Sequence, residues 1–144
     1  MPKEKNYILN NCFEDRLKRI EQYINTESYI AEIGCATGDF LAYLKNRKYI
    51  NLEGIDPSER CVTYMRDIYG ISAKQATFSE IIGENSYDLL MLIGVMEHII
   101  DLDLTVKIIN KLVKDNGVVY LEVPAVENFT VEGDLPFQEF STEH

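Results

Sequence analysis

Tryptophan is absent from this chain of 144 residues, and histidine, cysteine and proline are scarce. The three cysteines are Cys12, Cys35 and Cys61, and no two of them form a C-x-x-C pair. An odd number of cysteines without such a pair argues against a disulfide framework and against a structural zinc site. We therefore predict no metal site, and we expect the protein to work in a reducing, cytoplasmic compartment.

Long apolar runs and clusters of basic residues are missing as well. The longest apolar run, residues 89–95, has the length of a strand and falls far below the ~20 residues that a membrane span needs. Residues 1–11 are polar, so we expect neither a secretory signal nor a membrane partner. A formal net charge of −10 would repel nucleic acid, which makes a small molecule the expected partner.

The chain also lacks internal repeats, low-complexity tracts and linkers rich in proline and glycine. Its length and its 46% of hydrophobic residues are sufficient for one core. We therefore predict a single domain with an N-terminal helical segment at residues 1–27, a core at 28–124 and a turn-rich tail at 125–144.

Two kinds of apolar pattern alternate along the predicted core. Strand-like apolar runs occur at residues 29–33, 49–55, 71–75, 87–93 and 118–123. Apolar residues at helical spacing mark further segments at 13–24, 39–44, 59–69 and 102–113. This alternation predicts an α/β fold of the Rossmann-like, doubly wound kind, with a mainly parallel sheet of about five strands and helices on both faces. In such sheets, ligands bind beyond the carboxyl ends of the strands.

The loop after the first predicted strand has the composition of a ligand-binding turn. Gly34, Ala36 and Gly38 let the backbone turn sharply and approach a ligand. Asp56, which lies 18 residues after Gly38 at the end of the second strand, can accept the hydroxyl hydrogens of a ribose. A dinucleotide site would require a third glycine and room for a pyrophosphate, but Asp39 follows Gly38 directly. The dinucleotide alternative is therefore disfavoured.

Four motifs resemble those of class I S-adenosylmethionine-dependent methyltransferases. They are E-I-G-C-A-T-G-D-F at residues 32–40, G-I-D-P-S at 54–58, the strand and loop at 86–98, and K-D-N-G-V-V-Y-L-E-V-P at 114–124. The resemblance covers about residues 29–124 in the family's order. Ala36 departs from the usual central glycine of the first motif, and Asp115-Asn116 stand where the family often has Pro-Gly.

The resemblance implies that S-adenosylmethionine is the cofactor and that S-adenosylhomocysteine is the product. Glu32 would support the amino group of the methionine part, Asp56 would hold the ribose, and Thr77 stands where the family has an adenine-binding Asp. The residues that the resemblance assigns to cofactor binding are Glu32, Gly34, Cys35, Ala36, Gly38, Asp56, Pro57, Gln75, Ala76, Thr77, Phe78, Ile93 and Gly94.

Glu97-His98 follows the fourth predicted strand and has two interpretations. His98 can pack under the next helix, or it can act as a general base, because an unperturbed pKa of ~6.5 suits proton removal at neutral pH. Only the second interpretation makes His98 a catalytic residue, and the sequence leaves both open.

The family fold normally has seven strands, whereas five are predicted here and the tail is too rich in turn residues for two more. We therefore expect a C-terminally truncated or minimal domain, whose exposed sheet edge invites self-association. The expected function is methyl transfer to a small-molecule acceptor, such as a sugar or other metabolite, in a bacterial protein. The alternatives are a non-catalytic module that binds S-adenosylmethionine and an NAD-binding oxidoreductase domain.

Overall fold

The computed structural model describes residues 2–125, with side chains from residue 11 onward. The predicted tail lies outside these residues except for Ala125. The helices are α1 (Pro2–Ile20), α2 (Asp39–Asn46), α3 (Glu59–Tyr64) and α4 (Leu102–Leu112). The strands are β1 (Tyr29–Ile33), β2 (Asn51–Asp56), β3 (Ser72–Gln75), β4 (Tyr87–Ile93) and β5 (Val113–Glu122). Short 3₁₀ turns occupy Glu21–Tyr23, Phe78–Glu80 and Met96–His98.

The strands form one parallel sheet in the order β3-β2-β1-β4-β5. The first strand, β1, therefore lies in the middle of the sheet. β2 and β3 extend the sheet on one side of β1, and β4 and β5 extend it on the other side. This reversal of the strand order makes the carboxyl ends of β1 and β4 the topological switch point of the sheet, which is where doubly wound folds bind their ligands. The prediction of a Rossmann-like α/β fold is confirmed.

Two apolar clusters cover the two faces of the sheet. On one face Ile30, Leu89 and Met91 pack with residues of α1 and α2, among them Leu17 and Leu41. The other cluster contains the alternate residues of the same strands together with the end of α4, namely Ala31, Ile33, Leu90, Leu92 and Leu112. The central strands are buried on both faces, which explains their nearly continuous apolar sequence.

The predicted helix at residues 59–69 is correct in extent but consists of two kinds of helix. Ser58 caps α3 by accepting a hydrogen bond from the Cys61 N–H, and the chain then continues as a π-helix over Met65–Tyr69. The fully buried Met65 packs under the loop after β1, where a Cβ on Gly38 would lie only 2.8 Å from its Sδ. The π-helix thus supports this loop from below.

Three strands begin at residues other than those predicted: β2 begins at Asn51, β3 at Ser72 and β5 at Val113. The ends of β2 and β5 differ from the prediction by one residue each. Within β5 the backbone is irregular at Asn116, which has a positive φ of 68°. The pairing of β4 with β5 begins at Val113, is interrupted, and resumes at Val118. None of the helices within residues 2–125 combines the length and the apolar character needed to cross a membrane.

Candidate functional site

The loop after β1 follows a strained path that small residues permit. Gly34, Ala36 and Gly38 all have positive φ angles, of 69°, 47° and 76°. A side chain at Gly34 would collide with Val95 in the loop after β4. The Gly34 N–H donates to the Ile55 carbonyl at 2.7 Å, which holds the loop against β2. The predicted glycine turn is therefore present at the carboxyl edge of the sheet.

Asp56 connects the loop after β1 to the loop after β2. Its buried carboxylate accepts the Ala36 N–H at Oδ2 and the Ser58 N–H at Oδ1, both at 2.9 Å. Each carboxylate oxygen can accept more than one hydrogen bond, so capacity remains for the hydroxyls of a ribose. Asp56 therefore shapes the loop as well as facing the site, a second role that sequence reasoning missed.

Glu32 is a buried carboxyl group without a complete set of partners. It is only 6% exposed near the end of β1, and its Oε2 has no hydrogen-bond partner among the described residues. The pKa of Glu32 is raised to about 8, chiefly by burial; the charge of Arg16 opposes this rise, whereas the charges of Asp39, Glu122 and Asp56 contribute to it. A buried, unsatisfied carboxylate oxygen marks a position where a cation or a hydrogen-bond donor would be stabilised.

Arg16 and Glu122 join α1 to the end of β5 close to this carboxyl group. Arg16 donates to Glu122 through Nε at 2.9 Å and through Nη2 at 2.5 Å, and the Tyr120 hydroxyl donates to the same carboxylate at 2.9 Å. The hydrogen bonds from Arg16 and from Tyr120, together with the charge of Arg16, lower the pKa of Glu122. Sequence reasoning missed this pair, because no local pattern relates two residues that lie 106 positions apart.

Asp39, the first residue of α2, is held in place by two hydroxyl groups. The Tyr69 hydroxyl donates to its Oδ1 at 2.6 Å, and the Thr37 hydroxyl donates to its Oδ2 at 3.1 Å. The hydrogen bond to Asp39 is the largest of the effects that raise the pKa of Tyr69. The π-helix therefore contacts the site edge through Tyr69 as well as supporting the loop through Met65.

The residues assigned to adenine binding lie together beyond β2 and β3. The Gln75 side chain donates to the Pro57 carbonyl at 3.1 Å, and the Ala76 N–H donates to the Asp56 carbonyl at 3.2 Å. The Thr77 hydroxyl donates to Glu80 at 2.6 Å within a capping box that starts the 3₁₀ turn Phe78–Glu80. The Thr77 hydroxyl is therefore already paired with Glu80. Adenine contact through Gln75, Ala76, Thr77 or Phe78 stays a prediction.

The remaining predicted residues follow β4. Gly94 has a φ of 66°, and its N–H donates to the Glu122 carbonyl at 2.9 Å, which ties this loop to the end of β5. Ile93 is half-buried, and Glu97 and His98 are exposed in the 3₁₀ turn Met96–His98. The structure thus brings His98 to the same edge of the sheet as the glycine loop, and its role as a base stays a prediction. Residues 11–125 contain no cluster of three or more His, Cys, Asp or Glu side chains arranged to hold a metal ion.

Cys35 lies in the glycine loop and is expected to be chemically inert. Burial is the main cause that raises its thiol pKa, and the charges of Glu32 and Asp56 add to it. In the folded chain at pH 8, Cys35 should react with iodoacetamide roughly tenfold or more slowly than the exposed Cys12. Mass spectrometry of peptides after timed alkylation checks this, with urea-unfolded chain as the control. Equal rates for the two cysteines in the folded chain would show that Cys35 is accessible as a thiolate.

Comparison with known proteins gives one family and a set of similar folds. The model of a family described as "Methyltransferase domain" matches residues 6–140. No curated protein matches the chain. A coclaurine N-methyltransferase crystallised with N-methylheliamine and SAH superposes with a TM-score of 0.69 at 17% identity, over 77% of this chain and 34% of that chain.

Two further solved structures have the same fold. A putative sarcosine dimethylglycine methyltransferase from Galdieria sulphuraria gives a TM-score of 0.70 at 16% identity, over 84% of this chain and 48% of that chain. The [4+2]-cyclase SpnF gives a TM-score of 0.65 at 16% identity, over 74% of this chain and 43% of that chain. The chain therefore spans between about a third and a half of the length of these structures. At such identities, the likeness establishes the fold alone.

Proposed function

We propose that this chain, which belongs to the methyltransferase domain family, binds S-adenosylmethionine at the carboxyl ends of β1 and β2 and transfers its methyl group to a small-molecule acceptor. The observation that carries the proposal is the unpaired Oε2 of buried Glu32 beside the glycine loop. A cationic ligand would stabilise the buried Glu32 carboxylate by pairing with it. The methionine part of the cofactor carries two positively charged groups, an ammonium and a sulfonium.

The residues present fit the cofactor along its whole length. Glu32 would face the ammonium group, and the backbone of Gly34, Cys35, Ala36 and Gly38 would line the methionine part. The N–H groups at the start of α2 would attract its carboxylate. Asp56 would accept the ribose hydroxyls while it holds the loop. The assigned residues beyond β2 and β3 and after β4 would surround the adenine and the methyl-bearing side, respectively.

The chemistry that the cofactor supplies is a methyl group made electrophilic by a positively charged sulfur. The chain's own residues then need mainly to hold the donor and the acceptor in line, and such positioning can lower a barrier by roughly 7–11 kcal/mol in favourable systems. The loop after β4 would face the acceptor, and within it His98 is the proposed base. His98→Gln should then lower turnover on the acceptor while leaving the affinity for S-adenosylhomocysteine unchanged. Weakened binding by this variant would argue against the role.

A metabolite, such as a sugar or an amine, is the acceptor class that the proposal favours. The net charge of −10 disfavours nucleic acid as a partner. The two methyltransferases of similar fold are named for small amines, coclaurine in one and sarcosine and dimethylglycine in the other. These names suggest amines as the first acceptors to screen.

A cofactor-binding module without methyl transfer is the second candidate function. One structure of similar fold is named as a [4+2]-cyclase, and fold alone does not fix the reaction. The chain also spans only 34% to 48% of the lengths of the two methyltransferase structures. This candidate predicts cofactor binding without turnover on any acceptor. The NAD-binding alternative lacks its third glycine and has no support from the family match.

Calorimetric titration with S-adenosylhomocysteine, with NAD as the parallel control, tests the proposed cofactor. We expect micromolar binding of S-adenosylhomocysteine and no heat from NAD. Binding of NAD alone would overturn the proposal. Incubation with labelled S-adenosylmethionine and a panel of amines and sugars then separates methyl transfer from binding without turnover.

A further inference from the structure

Arg16 is fixed from three directions at the edge of the candidate site. Its guanidinium is paired with Glu122, and its Cζ lies 5.8 Å and 5.7 Å from the ring centroids of Phe13 and Phe40. The Arg16 side chain is only 17% exposed. An arginine that is stacked and bonded in this way keeps one orientation, so its charge acts from a fixed point.

The register of the sheet places this charge on the same face as Glu32. Glu32 pairs with Met91, and Met91 pairs with Tyr120, so these side chains project to one face across β1, β4 and β5. Tyr120 donates its hydroxyl hydrogen to Glu122, the residue that holds Arg16. Arg16 therefore lies over the carboxyl ends of the central strands, on the side where Glu32 is buried.

After Arg16, the charged groups with the largest effect on Glu32 are carboxylates. They are Asp39 from α2, Asp56 from β2 and Glu122 from β5, and each of them opposes the ionisation of Glu32. Within the part of the chain that the structure describes, Arg16 from α1 is the cation that acts in the opposite direction. A neutral residue at this position would leave Glu32 facing three negative charges without compensation.

We propose that Arg16 is a positioning residue of the cofactor site, held by Glu122 and two aromatic rings so that its charge enables Glu32 to ionise when the cationic cofactor binds. This inference rests on the proposed function, since it assigns to Arg16 a role toward S-adenosylmethionine. The proton balance follows directly. Below pH 8 the Glu32 carboxyl group releases one proton to the solvent, and the resulting carboxylate pairs with the ammonium group of the cofactor.

Three variants separate this electrostatic role from a purely structural one. Arg16→Met removes the charge but keeps an unbranched apolar stem, and Arg16→Lys keeps the charge. Glu122→Gln removes one opposing carboxylate and weakens the anchor, since one amide oxygen can still accept from Arg16. Carbon-13 NMR of glutamate carboxyl groups in the ligand-free chain follows the ionisation of Glu32, whose signal is identified by its absence in Glu32→Gln. Circular dichroism verifies that each variant is folded.

We expect Arg16→Met to raise the ionisation midpoint of Glu32 by roughly one pH unit. Glu122→Gln should lower this midpoint, and Arg16→Lys should stay near the wild type. The pH at which the affinity for S-adenosylhomocysteine levels off should move in the same order. At pH 7, Arg16→Met should therefore bind about tenfold more weakly than the wild type, since one pH unit of extra protonation corresponds to a factor of ten.

Midpoints that move in the same direction in Arg16→Met and Glu122→Gln, or that do not move, would overturn the inference, because both variants weaken a purely structural anchor. If Arg16→Met does not fold, the comparison of Arg16→Lys and Glu122→Gln with the wild type decides in the same way. Wild-type chain that binds no S-adenosylhomocysteine at any pH would refute the proposed function and the role of Arg16 with it. If the chain binds S-adenosylhomocysteine but the ionisation midpoint of Glu32 does not change with the charge at position 16, only the role of Arg16 is refuted.

Discussion

Glu32→Gln should weaken the binding of S-adenosylhomocysteine and, at the same time, stabilise the folded chain above neutral pH. The affinity falls because the variant cannot supply a negative charge to the ammonium group of the ligand. Removing one partner of a buried charge pair costs roughly 2–5 kcal/mol, which corresponds to a loss of about 30-fold or more at pH 8. Titration calorimetry at pH 8 measures this loss.

The stability gain follows from the raised pKa of Glu32. This pKa is about 8 in the folded chain and ~4.3 in an unfolded one. Between these values the folded state binds more protons than the unfolded state, so the free energy of unfolding falls as the pH rises. The loss is complete above pH 8 and amounts to roughly 3–5 kcal/mol. Glutamine has the same shape and no charge, and it avoids this loss.

Urea unfolding at pH 5 and pH 9 tests the stability arm. The variant and the wild type should differ little at pH 5, and the variant should be the more stable at pH 9. Glu53→Gln is the matched control for affinity, since Glu53 lies near the start of β2 and bonds to Tyr87 and Lys74, away from the glycine loop. A Glu32→Gln variant that is no more stable than the wild type at pH 9 would contradict the electrostatic argument.

Asp56→Ala should weaken S-adenosylhomocysteine binding by about 5- to 150-fold, which corresponds to roughly 1–3 kcal/mol. The variant loses the proposed acceptor for the ribose hydroxyls and leaves the Ala36 and Ser58 N–H groups unpaired. Stability should therefore fall as well, because hydrogen bonds to a charged group contribute roughly 1.5–3 kcal/mol each. Asp56→Asn is the milder variant, since one amide oxygen can still accept one of the two N–H groups.

A ligand analogue separates direct ribose contact from loop support. The 2′,3′-dideoxy form of S-adenosylhomocysteine lacks the hydroxyl groups that Asp56 is proposed to accept. Wild-type chain should discriminate between the two ligands, and Asp56→Ala should discriminate much less. If the variant weakens both ligands by the same factor, Asp56 acts only by holding the loop.

The local features of this fold were predictable from the sequence. Apolar runs located the five strands, helical spacing located the segment at 59–69, and the spacing of Gly34 and Gly38 indicated the turn after β1. Each of these signals is local, because apolar periodicity and the residues that favour turns can be recognised within a short stretch of sequence. The parallel direction of the strands followed from the alternation of strands and helices.

The features that were missed depend on contacts between distant segments. The pair of Arg16 and Glu122 forms only because α1 packs across the sheet next to β5, and the sequence contains no local signal of that packing. Met65, the first residue of the π-helix, packs beneath the glycine loop, which is distant in sequence. The hydroxyl of Thr77 suggested an adenine contact, but a nearby Glu80 engages it. Local rules identify the elements of such a site, whereas its electrostatics depend on the assembled fold.

The central position of β1 has a consequence for the order in which the molecule assembles. Tyr29 pairs with Asn51, only 22 positions later, whereas Ile30 pairs with Leu89, 59 positions later. Because closing a longer loop costs more entropy and chains are made from the N-terminus, β1 and β2 can pair while β4 is still being synthesised. The contact of Asp56 with Ala36 belongs to this early part, whereas the burial of Glu32 requires β4. During synthesis, Asp56 and the glycine loop would thus be in place before Glu32 is buried, and one edge of β1 would stay open to wrong pairing in the interval.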